Sequence, residues 1–213
     1  MIANHWPLYG LRLRTPRLEL RLPNLDDLAA LADLAAAGVH DPGVQPFVAA
    51  WTDAEPAVRA RAVLQWHWHL LGTWSPDDWS LQLVALADGV LIGTQEIHAR
   101  RFGTLREVGS GSWLGRAHQG QGYGTEMRAA VLHLAFAELG AEYATTEAFE
   151  DNLASYAVSR KLGYRDDGVQ RHLVRDKPVL GRRLRLDRAG WDAAHTVPVT
   201  VSGLGPCLAM FDR

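Results

Sequence analysis

The chain has 213 residues, 47% hydrophobic and 22% charged, with a formal net charge of −2. These are globular proportions with room for a sizeable core, and the near-neutral balance supplies no field to gather nucleic acid or an anionic membrane. No apolar run approaches the ~20 residues of a spanning helix, residues 1–10 lack a basic-then-apolar leader pattern, and the single Cys207 excludes an internal disulfide, so a reducing, cytoplasmic setting is expected.

From the start, Leu11, Leu13, Leu18, Leu20 and Leu22 alternate with Arg12, Arg14, Arg17, Glu19 and Arg21. Period two predicts a half-buried extended segment, interrupted at Thr15-Pro16, with the arginines on a solvated face. Asn24 is a helix cap with Asp26 and Asp27 in the first turn; Leu28, Leu31 and Leu34 carry the stripe to residue 37, where Gly38 ends it. Residues 39–51, with Asp41-Pro42-Gly43 and Pro46, form a long connection that is either a substrate wall or a plain linker. Asp53 is expected to cap a second helix, Pro56 in its first turn, running to residue 71. His67 and His69 in that helix are two apart and face different ways, so no metal pair is expected there; Trp66 and Trp68 read as its partly buried side.

Residues 79–87 and 90–98 pair through a two-residue turn at Asp88-Gly89. A strand over 105–114 places Val108, Ser110, Ser112 and Leu114 on one face and Gly109, Gly111 and Trp113 on the other. Its glycines imply a bulge or a close-packed neighbour. A helix over 126–139 buries Met127, Val131 and Leu134 and stops at Gly140. A strand over 143–147, a helix from Asn152 to Gly163, a hairpin over 170–174 and 180–186, and a short strand within 196–201 complete the chain. Eight tryptophans supply a large aromatic area for core, groove or subunit contacts, compatible with a homo-oligomer.

Two stretches carry chemistry. Gln119-Gly120-Gln121-Gly122-Tyr123-Gly124-Thr125 lies between a strand and a helix. Its glycines permit positive φ and close approach, and the free amides of the helix start, with the positive end of its dipole, suit phosphate oxygens. It lacks the Lys of a P-loop and the G-x-G-x-x-G spacing of a dinucleotide fingerprint, but satisfies (Gln/Arg)-x-x-Gly-x-(Gly/Ala). The second stretch is Asn152-Leu153-Ala154-Ser155, continuing to Ser159-Arg160-Lys161-Leu162-Gly163-Tyr164.

Together these stretches resemble the GNAT N-acyltransferases, and with Thr15-Pro16-Arg17-Leu18 they are most similar to the RimJ/RimL-type branch. The resemblance covers about residues 11–187. It implies an α+β fold (mixed α/β): a mixed, mostly antiparallel sheet flanked by helices and splayed between its fourth and fifth strands. One domain over residues 1–213 is expected, with 188–213 as a C-terminal extension. The implied activity moves an acyl group from acyl-CoA to a primary amine, on a protein N-terminus or a small molecule, by direct attack in a ternary complex. Acetyl-CoA is the first choice of donor and succinyl-CoA the alternative, with no metal. The different-class alternative is a non-catalytic acyl-CoA sensor or scaffold.

By the same resemblance the pantetheine arm enters the splay and pairs with main chain over 108–114, including Trp113 and Leu114. The diphosphate takes the loop of Gln119, Gly120, Gln121, Gly122, Tyr123, Gly124 and Thr125, and Asn152 holds the arm. Many family members place a Tyr seven residues after the Asn to protonate the leaving sulfur; Ser159 stands there. RimL-like members have a Ser at the third position, here Ser155, which is the preferred donor with Ser159 its rival. Glu96 and Glu107 are the base candidates, Glu147 a third, while Glu126 is accounted for by the helix dipole. A succinyl carboxylate needs a cation, for which Arg100, Arg101 and Arg106 are candidates.

Overall fold

A computed structural model describes residues 1–41 and 43–213; Pro42, in the turn expected at 41–43, lies outside the described residues. The opening arginine–leucine segment folds back on itself. β1 (Arg12–Arg14) and β2 (Leu18–Arg21) pair antiparallel, with Leu13 opposite Leu20. The turn falls at Thr15-Pro16-Arg17, where proline has no N–H for a ladder. The leucines of both strands are buried, while Glu19 meets Arg14 at 2.8 Å and Arg21 at 3.3 Å on the outer face.

α1 (Leu25–Ala37) starts in a reciprocal capping box: the Asp27 amide donates to Asn24 Oδ1 and the Asn24 amide to Asp27 Oδ2, each at 2.8 Å. α2 (Pro56–Gly72) begins at Pro56 with Glu55 before it. Asp53 does not cap it; it sits in a separate 3₁₀ turn and pairs with Arg175. The aromatic order within α2 is also opposite to expectation. His67 is 1% exposed, whereas Trp66 and Trp68 are 48% and 51% exposed. Val63, His67 and Leu70 fall at i, i+4 and i+7 on the face turned to the protein.

Burial holds the His67 imidazole neutral and pushes its pKa down to about 4, and its Nε2 has no partner among the described residues. The unfolded chain takes up this proton near pH 6.5, the fold only near 4, so stability is full above 6.5 and falls as the pH drops between those values. A loss on the order of 3 kcal/mol across that window is expected. His67→Leu should flatten it, as read by denaturant midpoints from pH 4 to 7; an unchanged slope would place the proton uptake elsewhere.

β3 (Asp78–Ala87) and β4 (Val90–Arg100) flank Asp88 and Gly89, whose φ values of 48° and 79° match a type I′ turn. After the short α3 (Phe102–Leu105), β5 (Glu107–Leu114) pairs with β4 in one unbroken register from His98–Gly109 to Gly93–Leu114. No bulge interrupts it. Gly109 is small because the His98 ring lies where its Cβ would be. α4 (Tyr123–His133) continues as a π turn over Leu134–Glu138 and ends at Gly140, with φ 73°.

β6 (Tyr143–Phe149), α5 (Leu153–Lys161), β7 (Arg165–Val174), β8 (Lys177–Asp187), α6 (Arg188–Ala194) and β9 (Thr200–Ser202) follow. Among the described residues nine strands form one sheet in the order β7-β8-β6-β5-β4-β3-β2-β1-β9. Only β5–β6 is parallel, and it pairs at three positions, Glu107–Tyr143, Val108–Ala144 and Gly109–Thr145. Beyond Gly109 the two strands have no ladder. This is the expected splay, now between β5 and β6 because the opening segment counts as two strands.

Met127, Ala130, Val131 and Leu134 of the α4 helix pack on one face of the sheet, with Leu81 and Leu83 of β3. The alternate residue Val84 joins a smaller cluster with Leu31, Ala35 and Val63, so α1 and α2 cover the opposite face. The tail adds β9 to β1 and buries Cys207 and Phe211. Burial pushes the Cys207 thiol up to about 11, which removes it as a nucleophile.

Candidate active site

The glycine loop has the geometry an anion site requires. Gly120 and Gly122 have φ of 73° and 83°, and Gly122 is the residue before α4. Among the described residues the amides of 120–125 find no backbone or side-chain acceptor. They include the first three of α4, which a helix leaves unpaired and at the positive end of its dipole. Gln119 does not add its side chain to this set; its Nε2 donates to Val39 O at 2.7 Å and Leu114 O at 2.9 Å and so fixes the loop to its neighbours.

Glu126 does more than offset a dipole. It is 6% exposed, and Oε1 accepts from the Thr15 hydroxyl (2.6 Å) and the Arg17 amide (3.0 Å). Oε2 accepts from Arg17 Nε at 2.7 Å. Burial raises the pKa of this carboxyl, but the bonds from Thr15 and Arg17 outweigh it and the net shift is down. Arg17 also donates to Gln121 O at 3.1 Å and stacks 4.6 Å over the Tyr123 ring. The Thr15-Pro16-Arg17 turn therefore sets the loop's pose and brings a guanidinium to its edge. The sequence carried this residue on a strand face and in the Thr15-Pro16-Arg17-Leu18 opening, with no role toward the loop.

Asn152 caps α5, its Oδ1 accepting from the Ser155 amide at 3.1 Å. The two serines, one turn apart, are in different situations. Ser155 is half-buried, and its hydroxyl has no partner among the described residues. Ser159 is fully buried; its hydroxyl donates to Ser155 O at 3.0 Å and accepts from Arg128 Nη1 at 2.7 Å. It has no free path to a sulfur outside the core. Arg128 itself is 4% exposed, and its Nε is unpartnered. Burial pulls its pKa below the ordinary guanidinium value. A lone charge inside the apolar run after Met127 was the sequence signal for it, and it went unread.

On the opposite face of the sheet a cavity of about 440 Å³ lies between α1, α2, the 39–53 segment and β3–β5. Phe47, Trp51, Trp66 and Trp113 wall it, and Glu96 and Thr94 contribute to its floor. Gly111 belongs to that floor as well, and open space lies where its Cβ would be. The Glu96 carboxylate accepts from Ser80 Oγ at 2.8 Å and lies 3.1 Å from His98 Nδ1, both on Oε1. Burial raises its pKa, but the bonds from His98 and Ser80 prevail and the net shift is down, so it is anionic at neutral pH.

The 39–53 segment is a wall rather than a plain linker. Gln119 holds it at Val39, Arg116 pairs with Asp41, and Arg175 at the β7–β8 turn donates to Asp53 at 2.7 Å. Phe47 and Trp51 hang from it into the cavity, with ring centroids 5.4 Å apart, and Trp51 meets Trp113 at 5.8 Å.

The other acidic candidates lie away from this floor. Glu107 is at the closed end of the splay and pairs with Arg185, and Glu147 pairs with His172. Arg100 pairs with Asp78 at 3.1 Å and Arg106 reaches Leu139 O at 3.4 Å. Among the described residues lining the cavity, Glu96 is the one ionisable side chain.

Residues 17–165 match the model of the acetyltransferase (GNAT) domain family. Among solved structures, Mycobacterium smegmatis RimJ in complex with CoA-disulfide superposes with TM-score 0.70 at 19% identity, covering 95% of each chain. RimL, a ribosomal-protein alpha-N-acetyltransferase in complex with coenzyme A, gives 0.63 at 16% identity, covering 81% of this chain and 95% of its own. A GCN5-related N-acetyltransferase from Brucella melitensis gives 0.66 at 17% identity, covering 86% and 81%. At these identities the superpositions speak for the shared fold.

Proposed function

The chain belongs to the GNAT acetyltransferase family, and from that premise we propose that it transfers an acetyl group from acetyl-CoA to a primary amine by direct attack. One observation carries the reading. The stretch of β5 released from β6 beyond Gly109 also lines the cavity, through Gly111, Ser112 and Trp113. A donor arm along that free edge would bring its thioester to an amine standing over Glu96. The amides of 120–125, with Arg17 beside them, would hold the diphosphate at the other end, and Asn152 the arm between.

In the step, the amine lone pair attacks the thioester carbon, the new C–N bond forms and the C–S bond breaks. The amine proton passes to Glu96 and through His98, which is half exposed, to solvent. The sulfur leaves as a thiolate of pKa about 8.5, a tolerable leaving group that the Ser155 hydroxyl can stabilise by donating a hydrogen bond. Ser159 takes no part, being held between Arg128 and Ser155. An acetyl group suits this cavity better than succinyl, because no cation among the described lining residues could meet a distal carboxylate.

Thiol release from acetyl-CoA and from succinyl-CoA, across a panel of amines, tests the reading; no release with either donor would remove it. Ser155→Ala is expected to lower kcat about 10-fold with the donor KM unchanged, since a hydroxyl on the leaving group acts mainly in the transition state. Equal kcat would leave Ser155 only a helix-start residue.

A further inference from the structure

The cavity also selects the acceptor, and this step rests on the acetyl-transfer reading above. We propose that its ligand is a small primary amine carried on an aromatic or bulky aliphatic body.

Three features lead there. The walls are apolar and largely aromatic: Leu31, Phe47, Trp51, Val63, Trp66 and Trp113. The Phe47–Trp51–Trp113 series runs unbroken at 5.4 Å and 5.8 Å between ring centroids. Such a surface is filled by apolar area, and its ring faces attract a cation. The single charge is the Glu96 carboxylate, whose Oε1 already accepts from Ser80 and lies against His98. Oε2 is outside both contacts and, beside the Trp66 side chain that also hydrogen-bonds this carboxylate, can receive an ammonium N–H. One anion set in an aromatic chamber matches one cation on an apolar body. It matches a polyamine less well, whose further ammonium groups would give up water in an apolar chamber that offers no second carboxylate.

Size and a fixed roof give the third feature. A volume of about 440 Å³ lies within the range of small-molecule sites. The segment that roofs it is tied down at both ends, by Gln119 and Arg116 on one side and by Arg175 on the other. The cavity is partly open to solvent beside Trp66, so what selects a small acceptor is its apolar lining and size.

The test is calorimetric titration of the full chain, together with thiol-release kinetics. The probes are phenethylamine, ethylamine (the charge without the body), 2-phenylethanol (the body without the charge), spermidine and a hexapeptide with a free N-terminus. Phenethylamine should bind at least ~30-fold more tightly than ethylamine, from the buried ring, and at least ~10-fold more tightly than 2-phenylethanol, from the charge. Phe47→Ala, on the exposed segment where folding is least at risk, should reduce that preference over ethylamine several-fold. Spermidine or the hexapeptide bound or turned over as well as phenethylamine would overturn the proposal, and so would 2-phenylethanol binding equally. Thiol release with the hexapeptide alone would remove this proposal and leave acetyl transfer standing. Phenethylamine binding with no thiol release from acetyl-CoA would keep the cavity's ligand class and remove acetyl transfer instead.

Discussion

Glu96→Gln is expected to lower kcat/KM for the amine by about 10²–10⁴-fold, the range for loss of a positioned general base, while acetyl-CoA binds as before. The substitution is nearly isosteric, and the Ser80 hydroxyl can donate to an amide oxygen as it does to the carboxylate, so the strand pairing around it should persist. What disappears is the negative charge and the proton acceptor. Because the Glu96 pKa is shifted down, the carboxylate is already ionised across the working range. The rise of kcat/KM with pH between 7 and 10 therefore belongs to the amine, near ~10.4 for an alkyl ammonium. On top of that slope the wild-type profile should fall more steeply at acid pH, where Glu96 takes up its proton, and that added acid limb should be missing from the variant. Rates over pH 4–10 with saturating donor provide the measurement. A Glu96→Gln enzyme as fast as the wild type, with the same acid limb, would take the base role away from this residue.

Gly122→Asp should weaken acetyl-CoA binding about 10²-fold with the fold retained. Gly122 sits at φ 83° before α4, a conformation that Asp adopts more readily than most side chains. Arg17 Nη2 lies 3.4 Å from where the new Cβ would be, so the added carboxylate has a cation at hand. It nonetheless stands among the amides assigned to the diphosphate. Two unit charges about 6 Å apart at an effective dielectric of ~20 repel by roughly 3 kcal/mol, which is the stated factor. Donor affinity by calorimetry and a melting curve in the same buffer separate loss of binding from loss of fold. Unchanged affinity in a folded variant would reduce the loop to a helix start with no ligand.

The readable part of this chain was local. Alternation marked β1 and β2 because a strand turns successive side chains to opposite faces. Asn24, Gly38, Gly140 and Asn152 marked helix ends because each residue type meets the needs of unpaired backbone there. Gly120 and Gly122 marked the turn before α4 for a similar reason: a positive φ with bare amides can be inferred from residue type and order alone. Even the Asp88–Gly89 turn needed nothing beyond its own two residues.

What escaped depended on which face turns inward and on who is across the gap. The period of α2 grouped His67 with Val63 and Leu70, but not the choice between that face and the one bearing Trp66 and Trp68; packing on the sheet made it. Ser155 and Ser159 looked interchangeable until Arg128, 31 residues before Ser159, took one of them into the core. Gly109 looked like a place for a ligand and proved to be a place for His98. By itself the sequence determined the strands, the helix ends and the glycine turn with its bare amides, because those follow from backbone chemistry within a few residues. The cavity was decided only by the tertiary structure. Phe47, Trp66, Glu96 and Trp113 come from four separate elements, and nothing short of the folded sheet, with α1 and α2 laid across it, brings one carboxylate under a ring of indoles.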